Sequence, residues 1–222
     1  MNKGNGPVCH PPLPPSEPNA IIRRSMNTQG ALANPDHIIL ISEAVPQNIC
    51  RKTIELFEND SKVKPGLVYD ANGGLVESAD KKSLELVIDH QDSQWEPIHQ
   101  ALRQAIVQGV VEYIKDRPGL QVAPLQNTAF KIKKYLQGQG EFTWHFDALS
   151  AATRSRQLAL IIYLNTVTEG GETEFFHQGI KIKPKCGDLA LFPPFWTHMH
   201  CGQVPKSGPK FIITSFVEFK GL

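Results

Sequence analysis

From Thr128 to its end the chain breaks into short apolar runs separated by glycine, proline and polar turns, with no helical periodicity of useful length. The candidate strands are Phe130 to Leu136, Phe142 to Phe146, Gln157 to Leu164, Glu172 to Phe176, Ile180 to Ile182, Asp188 to Phe192, Thr197 to Cys201 and Lys210 to Phe219. Short strands at this even spacing predict a sandwich or jelly roll, because each must bury one face against another sheet.

The upstream half reads differently. His37 to Ile41 is a β-branched run that predicts an entry strand, and Ile49, Ile54 and Phe57 mark one face of a helix over about 46–60. Leu67 to Tyr69 and Leu84 to Ile88 read as short strands around the turn-rich Asn72-Gly73-Gly74. Ile98, Leu102, Ile106 and Val110 recur at helical intervals, predicting a second helix over about 94–116 that Arg117-Pro118-Gly119 ends and that supports one face of a sheet. The fold class is therefore mainly β with packing helices. Residues 1–35, with Pro7, Pro11, Pro12, Pro14, Pro15 and Pro18, read as a flexible tail, and residues 36–222 as a single catalytic domain without internal repeats. The Cys9-His10 pair in that tail has no partner ligands at metal-site spacing.

At 222 residues, with a formal net charge of +1, the chain offers no basic surface for nucleic acid, so a charged partner must be recognised locally. Cys9, Cys50, Cys186 and Cys201 are far apart and form neither a Cys-x-x-Cys pair nor a disulfide framework, which suits a reducing compartment. No stretch is apolar for about 18 residues and the first twenty lack a signal-peptide core, so a cytoplasmic, non-membrane protein is expected.

Within this frame Trp144-His145-Phe146-Asp147 carries the chemistry. Residues two apart on an extended strand share a face, so His145 and Asp147 place an imidazole and a carboxylate side by side. A further histidine would complete the two-His, one-carboxylate facial triad that leaves positions open on non-haem Fe(II). Downstream, Thr197-His198-Met199-His200-Cys201-Gly202 supplies two candidates on one predicted strand face, which alternation cannot separate.

These residues resemble the 2-oxoglutarate and Fe(II)-dependent dioxygenases, in the prolyl 4-hydroxylase-like branch. The likeness rests on His145-Phe146-Asp147, Ile162-Tyr163-Leu164-Asn165, Gly170-Gly171-Glu172-Thr173-Glu174-Phe175, Gly187-Asp188-Leu189-Ala190-Leu191-Phe192, and His200 with Gly208 and Lys210. It departs from the family where Val204-Pro205 stands in place of the frequent Pro-Val. The resemblance implies a double-stranded β-helix, that is, a jelly-roll core. It implies metal binding by His145, Asp147 and His200, with His198 the rival, the register to Gly202 and Lys210 favouring His200. It also implies that Lys210 and Tyr163 hold the far carboxylate of 2-oxoglutarate and that Tyr135 lines the same pocket. The cofactors so implied are Fe(II), 2-oxoglutarate as cosubstrate and O₂, with ascorbate supporting activity. Asp147 keeps the carboxylate that related halogenases lack, so hydroxylation is the expected outcome.

The partner is then a proline-containing peptide or protein, or alternatively a free amino acid or other small molecule, with no nucleic acid. Trp144, Arg156 and Trp196 are candidates for the substrate entrance, with Phe142 and Arg154 beside them. The Ser150 to Thr153 loop and the Tyr69 to Ala79 segment are candidate covers. Two further readings are a non-catalytic metal-binding jelly-roll module and a zinc hydrolase on the same ligands; neither gives Lys210 or the Tyr163 run a task.

Overall fold

A computed structural model describes residues 23–24, 36–69 and 74–220. In chain order β1 (Arg23–Arg24) and β2 (Ile39–Ile41) precede helix α1 (Gln47–Glu58). Then β3 (Lys64–Pro65), β4 (Val68–Tyr69), β5 (Leu75–Val76) and β6 (Leu84–Val87) lead to helix α2 (Glu96–Ile114). The rest is β7 (Leu125–Asn127), β8 (Lys131–Tyr135), β9 (Phe142–His145), β10 (Arg156–Tyr163), β11 (Thr173–Phe175), β12 (Ile180–Ile182), β13 (Leu189–Phe192), β14 (His200–Gly202) and β15 (Lys210–Phe219).

The larger sheet runs β1-β2-β13-β10-β15-β8-β6-β3 with β7 paired to β15, and the smaller runs β12-β11-β14-β9. Alternation assigns the faces of the larger sheet. Leu158, Leu160 and Ile162 of β10, Leu189 and Leu191 of β13, and Phe211 and Ile213 of β15 pack with the helices. Ala159, Ile161 and Tyr163, with Ala190, Phe192, Ile212 and Tyr135, face the smaller sheet instead. Because β10 is covered on both faces, its sequence reads as a continuous apolar run. On β8, Lys131 and Lys133 share the face of Tyr135, so two lysines point between the sheets.

Helix α2 lies on the outer face through Ile98, Leu102, Ala105 and Ile106. At Gly109 the helix comes so close that an added Cβ would stand 2.8 Å from Leu189 Cδ2 and 3.3 Å from Ile41 Cδ1. The jelly-roll expectation is met, with helices outside and two stacked sheets that are antiparallel apart from the β1–β2 pair.

One strand prediction fails. Trp196–His198 form a 3₁₀ turn and the strand begins only at His200, so His198 does not share a strand face with His200. The strands β3, β5 and β7 were not anticipated; at two or three residues they are fixed by their partners rather than by a pattern of their own. Helix α2 stops at Ile114, before Arg117-Pro118-Gly119, and Pro118–Leu120 form a 3₁₀ turn. Apart from Arg23–Arg24, paired in parallel with Leu40 and Ile41, the expected tail of residues 1–35 lies outside the described residues. No helix among the described residues is long and apolar enough to cross a membrane.

Candidate metal and cosubstrate site

The site is assembled by cross-strand register. His145 at the end of β9 stands directly opposite His200 at the start of β14, with ring centroids 4.3 Å apart. Asp147, just beyond β9, is held by its backbone amide, which donates to the Pro194 carbonyl at 2.9 Å. Its carboxylate lies 3.9 Å from His145 Nε2 and 3.7 Å from His200 Nε2. One ligand atom from each of the three residues lies within 4.8 Å of the others.

Outer hydrogen bonds prepare the two imidazoles. His145 Nδ1 donates to the Thr143 carbonyl at 2.7 Å and His200 Nδ1 to the His198 carbonyl at 3.0 Å. An Nδ1–H occupied in this way leaves the Nε2 lone pair aimed at the carboxylate, the tautomer a metal requires. Burial, reinforced by the neighbouring His200, holds the His145 imidazole well below its usual pKa and therefore neutral. Phe142 stacks on His145 with centroids 3.5 Å apart, while Phe175 and Phe192 wall His200. Two soft nitrogen donors and one hard oxygen donor on one side of a half-dry pocket fit a divalent iron with open positions.

His198 is turned away. Its Nε2 bonds the Asp36 carbonyl at 2.7 Å and its Nδ1 the Thr197 hydroxyl at 2.9 Å, so both ring nitrogens are engaged outside the cluster.

Two adjoining cavities meet at the cluster. The narrow one, about 30 Å³, is lined by Tyr135, Thr173, Gly202 and Lys210 among others; the wide one, about 550 Å³, is shared by Trp144, Arg156, Leu149 and Thr153. Lys210 is 1% exposed and closes the narrow end, donating from Nζ to the Gly171 carbonyl at 2.9 Å, with the Tyr135 ring 4.6 Å away. Its burial brings the ammonium down to about 8. Tyr135 stands opposite Lys210 across β8 and β15 and lines the narrow cavity. Tyr163 does not line it. Its hydroxyl donates to Thr173 Oγ1 at 2.8 Å, and Thr173 is the group that reaches the cavity. Thr173 went unnoticed in the sequence because a lone threonine in a Gly-Gly-Glu-Thr turn carries no signal beyond strand propensity.

Among the predicted entrance residues, Trp144, Phe142 and Arg156 line the wide cavity. Arg156 donates to the Asp147 carbonyl at 2.8 Å and stacks 3.6 Å from the Phe216 centroid, bracing the ligand loop. Trp196 is 68% exposed and Arg154 is exposed, and neither is among the residues lining the cavities. Ser150 and Thr153 border the wide cavity, as does Leu75 of the second expected cover, part of which lies outside the described residues. Lys133 lines both cavities and was not expected to take part.

With this geometry in place, residues 130–218 match the family model described as the 2OG-Fe(II) oxygenase superfamily. The matched stretch holds His145, Asp147, His200 and Lys210, and over it the chain is similar to that superfamily. Its structure is similar to a viral collagen prolyl hydroxylase of Paramecium Bursaria Chlorella virus-1 in a 2OG complex, at 19% identity and TM-score 0.61, covering 85% of this chain and 99% of that one. A prolyl hydroxylase of Trichoplax adhaerens, in complex with a hypoxia inducible factor peptide fragment, aligns at 16% identity and TM-score 0.67 over 84% and 85% of the two chains. A prolyl-4-hydroxylase of Pseudomonas putida aligns at 15% and TM-score 0.63 over 84% and 95%. A search of curated protein sequences finds no match. The superfamily so matched is described by its use of 2OG and Fe(II), and the cluster of His145, Asp147 and His200 is a donor set of the kind Fe(II) takes.

Proposed function

We propose that this oxygenase hydroxylates an unactivated C–H bond of a prolyl residue in a peptide or protein, through residues 36–222 acting as one catalytic domain. The observation that carries the reading is the cluster of His145, Asp147 and His200, both imidazoles presenting Nε2, at the junction of a narrow cavity closed by Lys210 and a wide one open to a larger molecule.

In this reading His145, Asp147 and His200 hold the metal. When bound, Fe(II) with 2-oxoglutarate and O₂ supplies an oxidant strong enough to break such a bond, with succinate and CO₂ released. The chain's own residues orient and protect. Lys210 exchanges the Gly171 carbonyl for the far carboxylate of the cosubstrate, a charge-assisted bond in a buried setting. Tyr135 lines that pocket, and Tyr163 fixes the Thr173 hydroxyl toward it. Phe142, Phe175 and Phe192 keep water from the imidazoles. The wide cavity, bordered by Trp144, Leu149 and Met199, receives the residue to be oxidised.

Anaerobically purified protein given Fe(II), 2-oxoglutarate, ascorbate and air, with proline-rich peptides or free amino acids, tests this. Succinate stimulated by a peptide, with a mass gain of about one oxygen on proline, is the expected result. Stimulation by free amino acids alone would move the substrate to the small-molecule class, and absence of succinate from iron-loaded protein would replace the enzyme with a binding module.

A further inference from the structure

The wide cavity carries more positive charge than its surroundings match. Lys81, Lys131, Lys133 and Arg156 line it, against Asp80 and Asp147. Asp147 is committed to the metal in the reading above, and Asp80 is exposed and takes the Ser78 hydroxyl at 3.0 Å. Behind the wall a single buried carboxylate, Glu85, pairs with Lys81 at 2.6 Å and with Lys131 at 3.4 Å. Arg156 is tied to the Asp147 carbonyl and to the Phe216 ring.

That leaves Lys133. It forms no hydrogen bond or ion pair among the described residues, and its ammonium stands 5.8 Å from the centroid of Phe142, the ring stacked on His145. Its strand position sends it between the sheets, opposite Ile212 on one side and Glu85 on the other, at the level where the two cavities meet. Its nearest carboxylate, Glu85 across the strand pair, is already paired with Lys81 and Lys131. Burial with the neighbouring Lys81 brings the Lys133 ammonium down to about 7, so keeping it charged in this largely dry cavity is costly unless the occupant supplies a further anion. The cosubstrate is the weaker candidate for that anion. Its far carboxylate has Lys210, and Lys81 and Lys131 border only the wide cavity.

We propose that the substrate of this oxygenase carries an oxyanion, a carboxylate or a phosphate, close to the bond that reacts, and that Lys133 receives it with Lys131 and Lys81 adding to the positive field. The inference rests on the oxygenase reading and narrows its substrate to an acidic one: in a peptide, a proline with an acidic or phosphorylated neighbour.

Full-length protein with Fe(II) and 2-oxoglutarate, kept under nitrogen, is titrated calorimetrically with end-blocked proline pentapeptides. These differ only in the residue beside the proline, which is Glu, phosphoserine or Gln. The Glu or the phosphoserine peptide is expected to bind at least about tenfold more tightly than the Gln peptide, the fold-change a charge-assisted bond confers. Whichever of the two does so identifies the oxyanion. Lys133→Met should erase that advantage, and Lys133→Arg should keep most of it. Equal affinities, no binding by any peptide, or an advantage that survives Lys133→Met overturns the inference. So does a Lys133→Met chain that loses affinity for 2-oxoglutarate instead, which would assign the ammonium to the cosubstrate. Because binding is read without turnover, missing succinate in the aerobic assay counts against the proposed reaction and leaves this result standing.

Discussion

His198 and His200 lie two residues apart and use their rings in opposite ways. His200 gives Nδ1 to a carbonyl and keeps Nε2 for the cluster, whereas both nitrogens of His198 are spent on Asp36 and Thr197. His200→Ala should therefore abolish Fe(II)-dependent turnover and Fe(II) binding. His198→Ala should keep both while losing roughly 1–3 kcal/mol of stability from its broken hydrogen bonds; chemical denaturation with an iron-binding assay separates the two, and the reverse pattern would move the ligand. Lys210 gives a pH signature. Its folded-state pKa is lowered to about 8 from 10.5, so between those values the unfolded chain binds the extra proton and stability from this residue rises with pH. The form that binds a carboxylate is the protonated one, lost over the same window. Affinity for 2-oxoglutarate should fall by up to about tenfold per pH unit above about pH 8; a dissociation constant flat through that range contradicts the role. The sequence made His145 and Asp147 legible because their spacing is local. Thr173 and Lys133 were hidden because their importance depends on which strands meet.

The elements divide in the same manner. Gly109 shows what fixes the support of the site: it lets α2 settle on Leu189, Ile41 and Leu191 of the larger sheet. Gly109→Leu must push the helix off or displace those side chains, and overpacking of this kind destabilises by about 1–3 kcal/mol. The midpoint of urea denaturation should drop accordingly. Metal affinity of the folded protein should stay near wild type, because the cluster lies on the opposite face of that sheet; equal loss of metal affinity would show that helix and site are coupled. Helices α1 and α2 and the long strands were readable because an amphipathic period or a twice-buried apolar run leaves a mark over many residues. The turn at Trp196–His198 left none. Its sequence is as apolar and β-prone as the strand that follows, and only the hydrogen bond from the His198 amide to the Phe195 carbonyl separates them.

At the scale of the whole molecule, the fold brings together residues 55 positions apart in sequence by pairing β9 with β14 in the smaller sheet. That sheet is also where the hydrophobic core is thinner, since the main cluster of buried residues lies on the helix side of the larger one. A metal tied to His145, Asp147 and His200 would cross-link two strands of the less supported layer, while the larger sheet needs no such tie to form. The apo chain should then remain folded and gain stability on loading. A ligand at about a hundred times its dissociation constant adds about 2.7 kcal/mol, and for a chain of this size that raises the melting temperature by roughly 5–10 °C. Thermal unfolding of the chelated protein, repeated with excess Fe(II) under nitrogen, measures the shift. It should be absent in Asp147→Ala, where one ligand is gone, and retained in His198→Ala. If the wild-type chain melts at one temperature with and without the metal, the three side chains do not form the binding site, however well they are arranged.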